Sequence, residues 1–238
     1  MWLVLPGVLA VLPLLIYAAS PAYYKAHVLN EQYREYQPVE MVTLASAVLG
    51  GVALLAAGLV LLKKRYHAAA GVAAVSGLAS LFLAGEEVNW GQTFANWGVP
   101  EREQELTAPL NLHNTTEMVS IQSLGSIFII GLFLVLPLAF ALRTKTRLPG
   151  AWRPAVPPLP AVVSVLLGFL FSDVKDFYRK LYEPDASDRL YMDFLEQANE
   201  LKEMLIAVGL LLYGVSALGR GLRRKHASQP SDAADGPA

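Results

Sequence analysis

From Met41 to Leu62 the chain runs without a single charged side chain, and five further stretches repeat the pattern: Trp2 to Ala19, Ala68 to Gly85, Met118 to Leu142, Ala155 to Ser172 and Met204 to Gly219. No other feature restricts the fold so much. A helix rises 1.5 Å per residue, so roughly 20 apolar residues cross the hydrocarbon core of a bilayer, which is about 30 Å thick. Within lipid every backbone N–H and C=O must find a partner in the protein, which leaves helices or closed barrels. Unbroken apolar runs of this length select the helix, because a barrel strand is shorter and alternates. The expected fold is all-α: a polytopic transmembrane helix bundle of about six spans over residues 1–222, followed by a polar tail, 223–238, too poor in apolar residues to build a core. A hydrophobic content of 54% against 16% charged residues fits this and fits a water-soluble globule poorly.

Two of the six runs carry a complication. Pro154, Pro157, Pro158 and Pro160 crowd the start of the fifth. Proline is tolerated in a first turn but not deeper, so that helix is expected to begin near Leu159. The first run ends in YAASPA, which also reads as a small-residue cleavage site after a signal peptide. No Lys or Arg precedes it and it is longer than a usual signal core, which favours a retained span.

Orientation follows from the connecting segments. With the N-terminus in the cytoplasm, the inner segments hold Lys63, Lys64 and Arg65, then Arg143, Lys145, Arg147 and Arg153, then Arg220, Arg223, Arg224 and Lys225. These are eleven of the 19 basic residues, and 18 of the 20 acidic residues fall in the outer segments 20–40, 86–117 and 173–203. The excess of Lys and Arg beside span ends predicts both termini on the cytoplasmic side of a cell (plasma) membrane.

The absence of cysteine removes disulfides, thiolate nucleophiles and Cys metal ligands together. The formal charge of −1 conceals a separation of charge between the two sides, so it says nothing about partners. The basic clusters are accounted for by membrane topology, which leaves no support for nucleic-acid binding; membrane lipid is the expected partner. The oligomeric state is not legible.

The stretch GEEVNWGQ, residues 85–92, ends the third span. Eighteen apolar residues carry the chain about 27 Å, so Glu86 and Glu87 arrive at the outer interface, where Trp90 and Trp97 suit the headgroup level. One more helical turn would put Glu86 and Trp90 on one face and Glu87 about 100° away, so that one glutamate faces the bundle and the other water. Before the fourth span comes NLHN, with Asn111, His113 and Asn114 at the same depth. Asn114 and Glu117 read as a capping box, which explains Glu117 but not His113. After the fifth span Asp173 and Asp176 stand one turn apart, and before the sixth Glu196, Glu200 and Glu203 form one helical stripe.

Glu, Asp and His are the ligands that a chain without Cys offers to a divalent transition metal, and Glu86, Glu87, His113, Glu200 and Glu203 form the candidate set. A metal held on several helices can keep one position open for water and lower its pKa toward neutrality. Without metal, closely spaced carboxylates still make an acid–base pair, because like charges push one pKa up. Glu86, Glu87 and His113 are the catalytic candidates; Trp90, Gln92, Asn111 and Asn114 are the substrate-binding ones. The plainer account is that acids at outer helix ends are simply solvated. No HExxH, paired ExxH, His-rich box or GxSxG occurs.

GEEVNWGQ followed by ELTAPLNLHN resembles a segment of an uncharacterised group of bacterial multi-pass membrane proteins with a GEE-x-x-WGQ and NLHN signature. The resemblance covers about residues 84–114, with Asn89 where Ser is expected and Thr93 where a basic residue is usual. It implies an outer-face site made of Glu86, Glu87, Trp90, Gly91, Gln92, Asn111, His113 and Asn114, with no reaction attached. Three classes of function follow: a metal-assisted hydrolase or transferase acting on a lipid-like substrate, a membrane scaffold, and a transporter. Transport needs ionisable groups near the bilayer midplane, and spans two, three, four and six have none there. The small residues of AVLGGVALLAAG suit close helix contacts, either within the chain or with a partner.

Overall fold

The computed structural model describes residues 4–20, 23, 38–88, 127–142, 150–182 and 189–223. Six helical segments run through them, and among the described residues there is no strand. They are α1 (Val4–Ala19), α2 (Pro38–Lys63), α3 (His67–Glu87), α4 (residues 127–142), α5 (Leu159–Tyr182) and α6 (Arg189–Arg223). A short 3-10 helix, Gly150–Ala155, precedes α5. Three helices are long and apolar enough to cross a membrane: Pro38–Lys63, His67–Glu87 and, within α6, Ala198–Arg223. Val4–Pro13, Ile127–Ala139 and Leu159–Phe171 are shorter apolar helices. The described residues thus form an all-helical protein with three helices fit to cross a membrane.

Helix ends differ from the apolar runs in an informative way. α5 starts at Leu159, after the proline cluster, yet continues past Ser172 to Tyr182. α6 begins at Arg189, well before the apolar run at Met204, so the glutamate-bearing lead-in and the span form one continuous rod. α4 contains a π-helical turn, Gly131–Val135, for which nothing in the apolar pattern gives a signal.

The packing sets the directions of the helices. Gly50 on α2 lies against Leu210 and Leu211 on α6, and Lys64 near the end of α2 donates a hydrogen bond from Nζ to the Gly221 carbonyl near the end of α6. α2 and α6 therefore run parallel. Ser80 Oγ on α3 donates to the Ala47 carbonyl at 2.8 Å, and Gly58 lies against Ala70, so α3 runs antiparallel to α2. Ser164 Oγ on α5 donates to the Leu205 carbonyl at 2.6 Å, and Gly168 lies against Lys202, so α5 runs antiparallel to α6. Two cores join the helices. One joins Leu54, Ala57, Leu132, Phe133, Val165, Leu210 and Tyr213, with the Phe133 and Tyr213 rings edge to face at a centroid distance of 6.0 Å. The other brings Ala10 of α1 to Val39, Leu201, Met204, Leu205 and Val208. Leu49, Val52, Leu59, Val75 and Leu78 stay exposed, as side chains that meet lipid do.

The α2–α3 connection is tight. Tyr66 N–H donates to the Leu61 carbonyl at 3.0 Å and Arg65 N–H to the Leu62 carbonyl at 2.9 Å, a Schellman closure of α2. Arg65 holds the left-handed position with φ of 63°, where glycine is usual.

Candidate functional site

These directions sort the charged residues. Glu40 in the first turn of α2, Glu86 and Glu87 at the end of α3, and Glu200 and Glu203 in α6 share one end of the bundle. Lys63 and Lys64, His67, Arg153, Arg220 and Arg223 share the other.

Small residues build the acidic end. Ala47 of α2, Ala84 of α3 and Ala207 of α6 are buried against one another, with Leu44 and Leu83 around them. Ala84 lies three residues before Glu87, and Ala207 four residues after Glu203, so each is about one helical turn from a carboxylate. With only methyl groups between them the three rods approach closely, and their next turns bring the glutamates together. Glu87 shares a side-chain hydrogen bond with Glu203 and lies in electrostatic contact with Glu200 and Glu40. A hydrogen bond between two carboxyl groups requires that one of them carry a proton. Glu86, next in the chain, is 7% exposed, whereas Glu87 is half-buried. Both glutamates therefore turn toward protein, and neither is left wholly to water.

Of the residues singled out above, the structure brings together Glu87, Glu200 and Glu203, with Glu86 buried beside them. Glu40 was not among them. Its signal is its place, in the first turn of α2 and on the same side of the membrane. Asp173 and Asp176 lie in the second half of α5, and Glu196 lies in α6 one turn before Glu200. Trp90, Gly91, Gln92, Asn111, His113, Asn114 and the capping box with Glu117 lie outside the described residues, as does the tail beyond Arg223. The five-residue metal set includes His113 and so extends beyond the described residues; among the described residues alone, no three of His, Cys, Asp and Glu are placed to hold a metal ion. The carboxyls that do meet are joined by a hydrogen bond.

The small-residue run in α2 is also accounted for. Ala47, Gly50, Gly51, Leu54, Ala57 and Gly58 are buried, with the glycines against α3 and α6 of the same chain. A Cβ on Gly50 would come within 2.9 Å of the Leu211 nitrogen, so only glycine permits this helix crossing.

No protein family, curated protein or solved structure matches the chain.

Proposed function

We propose that this chain is a six-span inner-membrane protein of a bacterium with both termini in the cytoplasm. In this reading its carboxylate cluster is the acid–base centre of a hydrolase or transferase acting on a lipid-like substrate at the outer leaflet. The observation that carries it is the hydrogen bond joining Glu87 to Glu203, with Glu40 and Glu200 close by. Two carboxyls that share one proton supply both an acid and a base. The ionised group takes a proton from water or from an acceptor hydroxyl as that oxygen bonds to the ester carbon or phosphorus. The protonated group gives its proton to the departing alkoxide oxygen, so the step balances without another reagent.

The substrate class follows from depth. α3 has 21 residues, about 31 Å at helical rise, so Glu87 ends it where headgroups begin. The arrangement of Lys and Arg supports the sidedness, and the GEE-x-x-WGQ and NLHN resemblance supports the bacterial assignment. Trp90, Gln92, Asn111 and Asn114 would border the substrate, and His113 would complete the centre or, with the glutamates, recruit a divalent transition metal. The scaffold reading has less support, because the small residues that suit a partner helix are used within the chain.

The test is turnover. Protein reconstituted in vesicles of phosphatidylethanolamine and phosphatidylglycerol is followed by mass spectrometry of the lipids, with Glu87→Gln, Glu203→Gln and His113→Ala beside wild type. Loss of the acid or base should slow product formation by about 10²–10⁴-fold. Unchanged turnover in both glutamine variants would refute the centre, and no lipid product from wild type would favour the scaffold. Elemental analysis of wild type and His113→Ala decides the metal: a stoichiometric metal lost in the variant supports a metal-assisted reaction.

A further inference from the structure

α4 breaks its own repeat. At the π turn Gly131–Val135 the Leu136 N–H donates to the Gly131 carbonyl, five residues back instead of four. Ile130 and Leu136, on either side, keep ordinary α-helical backbone angles, so the turn is an insertion in an otherwise regular helix. Among the described residues no other helix contains such a turn. Pro137 supplies the cause: at α-helical spacing its ring would press on the Phe133 carbonyl, and it has no N–H to donate. Widening the preceding turn relieves the clash and leaves this part of α4 with fewer helical hydrogen bonds than the turns around it.

The two sides of the turn are held unequally. Leu136 packs against the cluster of Leu61, Ala69, Ala70, Ala73 and Ala155, and Phe133 is fully buried with its ring edge to face on Tyr213. Tyr213 is itself fixed, its Oη donating to the Ala155 carbonyl at 2.9 Å. Ala69 and Ala70 follow His67 at the basic end, so this anchored side of α4 points there and Ile127 points toward the carboxylates. On that outer side Ile127 and Ile130 are exposed, Phe128 is half-buried and Ile129 is buried. A Cβ added to Gly131 would meet nothing within 4 Å, so no neighbour braces the backbone at the turn.

We propose that α4 is a gate hinged at this turn: residues 127–130 swing outward while the segment from Phe133 onward stays fixed, and the swing opens a lateral path for a lipid acyl chain toward the carboxylate end. A bilayer favours such a motion. When Phe128 and Ile129 leave the core they exchange protein contacts for lipid tails that are equally apolar, so only packing is lost. The joint has few helical hydrogen bonds left to break, and sharp bends in helices concentrate at prolines and π turns. That the admitted lipid is a substrate rests on the acid–base reading above; the hinge itself does not.

The test uses the full chain in nanodiscs of phosphatidylethanolamine and phosphatidylglycerol. The chain has no cysteine, so spin labels go on introduced pairs at exposed positions: Ile127→Cys/Val75→Cys on the moving side and Leu138→Cys/Val75→Cys on the fixed side. Ile127 lies about 9 Å along the helix from the middle of the turn, so a bend of about 20° moves it by roughly 3 Å. Double electron–electron resonance should find the Ile127 distance distribution broader than the Leu138 one by about that amount. Pro137→Leu, which restores the N–H and removes the ring, should narrow it to the Leu138 width. Equal widths in wild type, or no narrowing in Pro137→Leu, overturn the hinge. Access is read by the labelling of Glu87 and Glu203 with dicyclohexylcarbodiimide, which arrives from lipid, against a water-soluble carbodiimide. Loss of the open state should slow the lipid-borne reagent about tenfold in Pro137→Leu and leave the water-soluble one at its wild-type rate. An unchanged rate with the lipid-borne reagent, or an equal loss with both, overturns the lateral path. If circular dichroism shows Pro137→Leu misfolded, Gly131→Ala replaces it; its Cβ has open space, so changes of up to about fivefold in the same directions support the gate and none overturns it. Turnover is not part of the readout, so an inactive wild type refutes the acid–base reading and leaves this one standing.

Discussion

Two glycines on α6, five residues apart, should respond to the same substitution with opposite signs. At Gly214 an added Cβ would lie 2.9 Å from the Gly50 carbonyl oxygen, 3.1 Å from Ala53 Cβ and 3.2 Å from Leu54 Cγ. Ordinary contact begins near 3.4 Å, so α2 and α6 would have to part by about half an ångström at a place where the nearest obstacle is backbone. Overpacking of this kind costs about 1–3 kcal/mol, and alanine recovers up to about 1 kcal/mol through its better helix propensity. Gly214→Ala should therefore destabilise by about 1–2 kcal/mol. At Gly219 the same Cβ meets nothing within 4 Å, so Gly219→Ala keeps the propensity gain alone, up to about 1 kcal/mol of stabilisation. Gly50→Ala strikes the same crossing from the other side, 2.9 Å from the Leu211 nitrogen, and the double variant Gly50→Ala/Gly214→Ala should cost less than the sum because the first substitution already separates the helices. Unfolding in mixed micelles of rising dodecyl sulfate content, followed by tryptophan fluorescence, reads all four variants. Gly214→Ala as stable as wild type, or Gly219→Ala as damaging as Gly214→Ala, would refute the close α2–α6 crossing and with it the approach that assembles the carboxylates.

Other outcomes follow from single residues. Arg65→Gly should raise stability by about 1 kcal/mol, since glycine adopts the left-handed backbone without strain; Arg65→Ala, which keeps the strain, should not. Tyr213→Phe removes the bond to the Ala155 carbonyl and should cost about 0.6–1.7 kcal/mol in the same unfolding assay. Because a hydrogen-bonded carboxyl pair holds one proton, a hydrophobic carbodiimide, which reacts with protonated carboxyls, should label Glu87 or Glu203 in wild type; peptide mass spectrometry should find the label gone from both positions in Glu87→Gln/Glu203→Gln. The chain has no cysteine, so single introduced thiols report sidedness directly: in whole cells an impermeant maleimide should reach Gln104→Cys and Ser187→Cys, but Thr146→Cys and Ser228→Cys only after permeabilisation.

Run length and charge placement are local properties, and they are readable along the chain. The apolar stretch from Met41 to Leu62 could only be a helix in lipid, the prolines before Leu159 set where α5 begins, and the grouping of acids apart from bases put Glu86, Glu87, Glu200 and Glu203 on one side. Which carboxylates touch is a different kind of fact. Several helices carry acids toward this end, and a one-dimensional pattern gives no reason to prefer Glu203 over Asp173 as the partner of Glu87, nor any cause to include Glu40. That choice depends on how closely three rods can lie. Ala47, Ala84 and Ala207 decide it by offering methyl groups where larger side chains would hold the helices apart. The convergence of Arg153 with Arg220 and Arg223 has the same origin, since residues far apart in the chain become neighbours only once α5 packs against α6 and Tyr213 reaches the Ala155 carbonyl. Depth in the membrane is set by counting residues, whereas contact across helices is set by side-chain volume at their crossings, which only the packed bundle reveals.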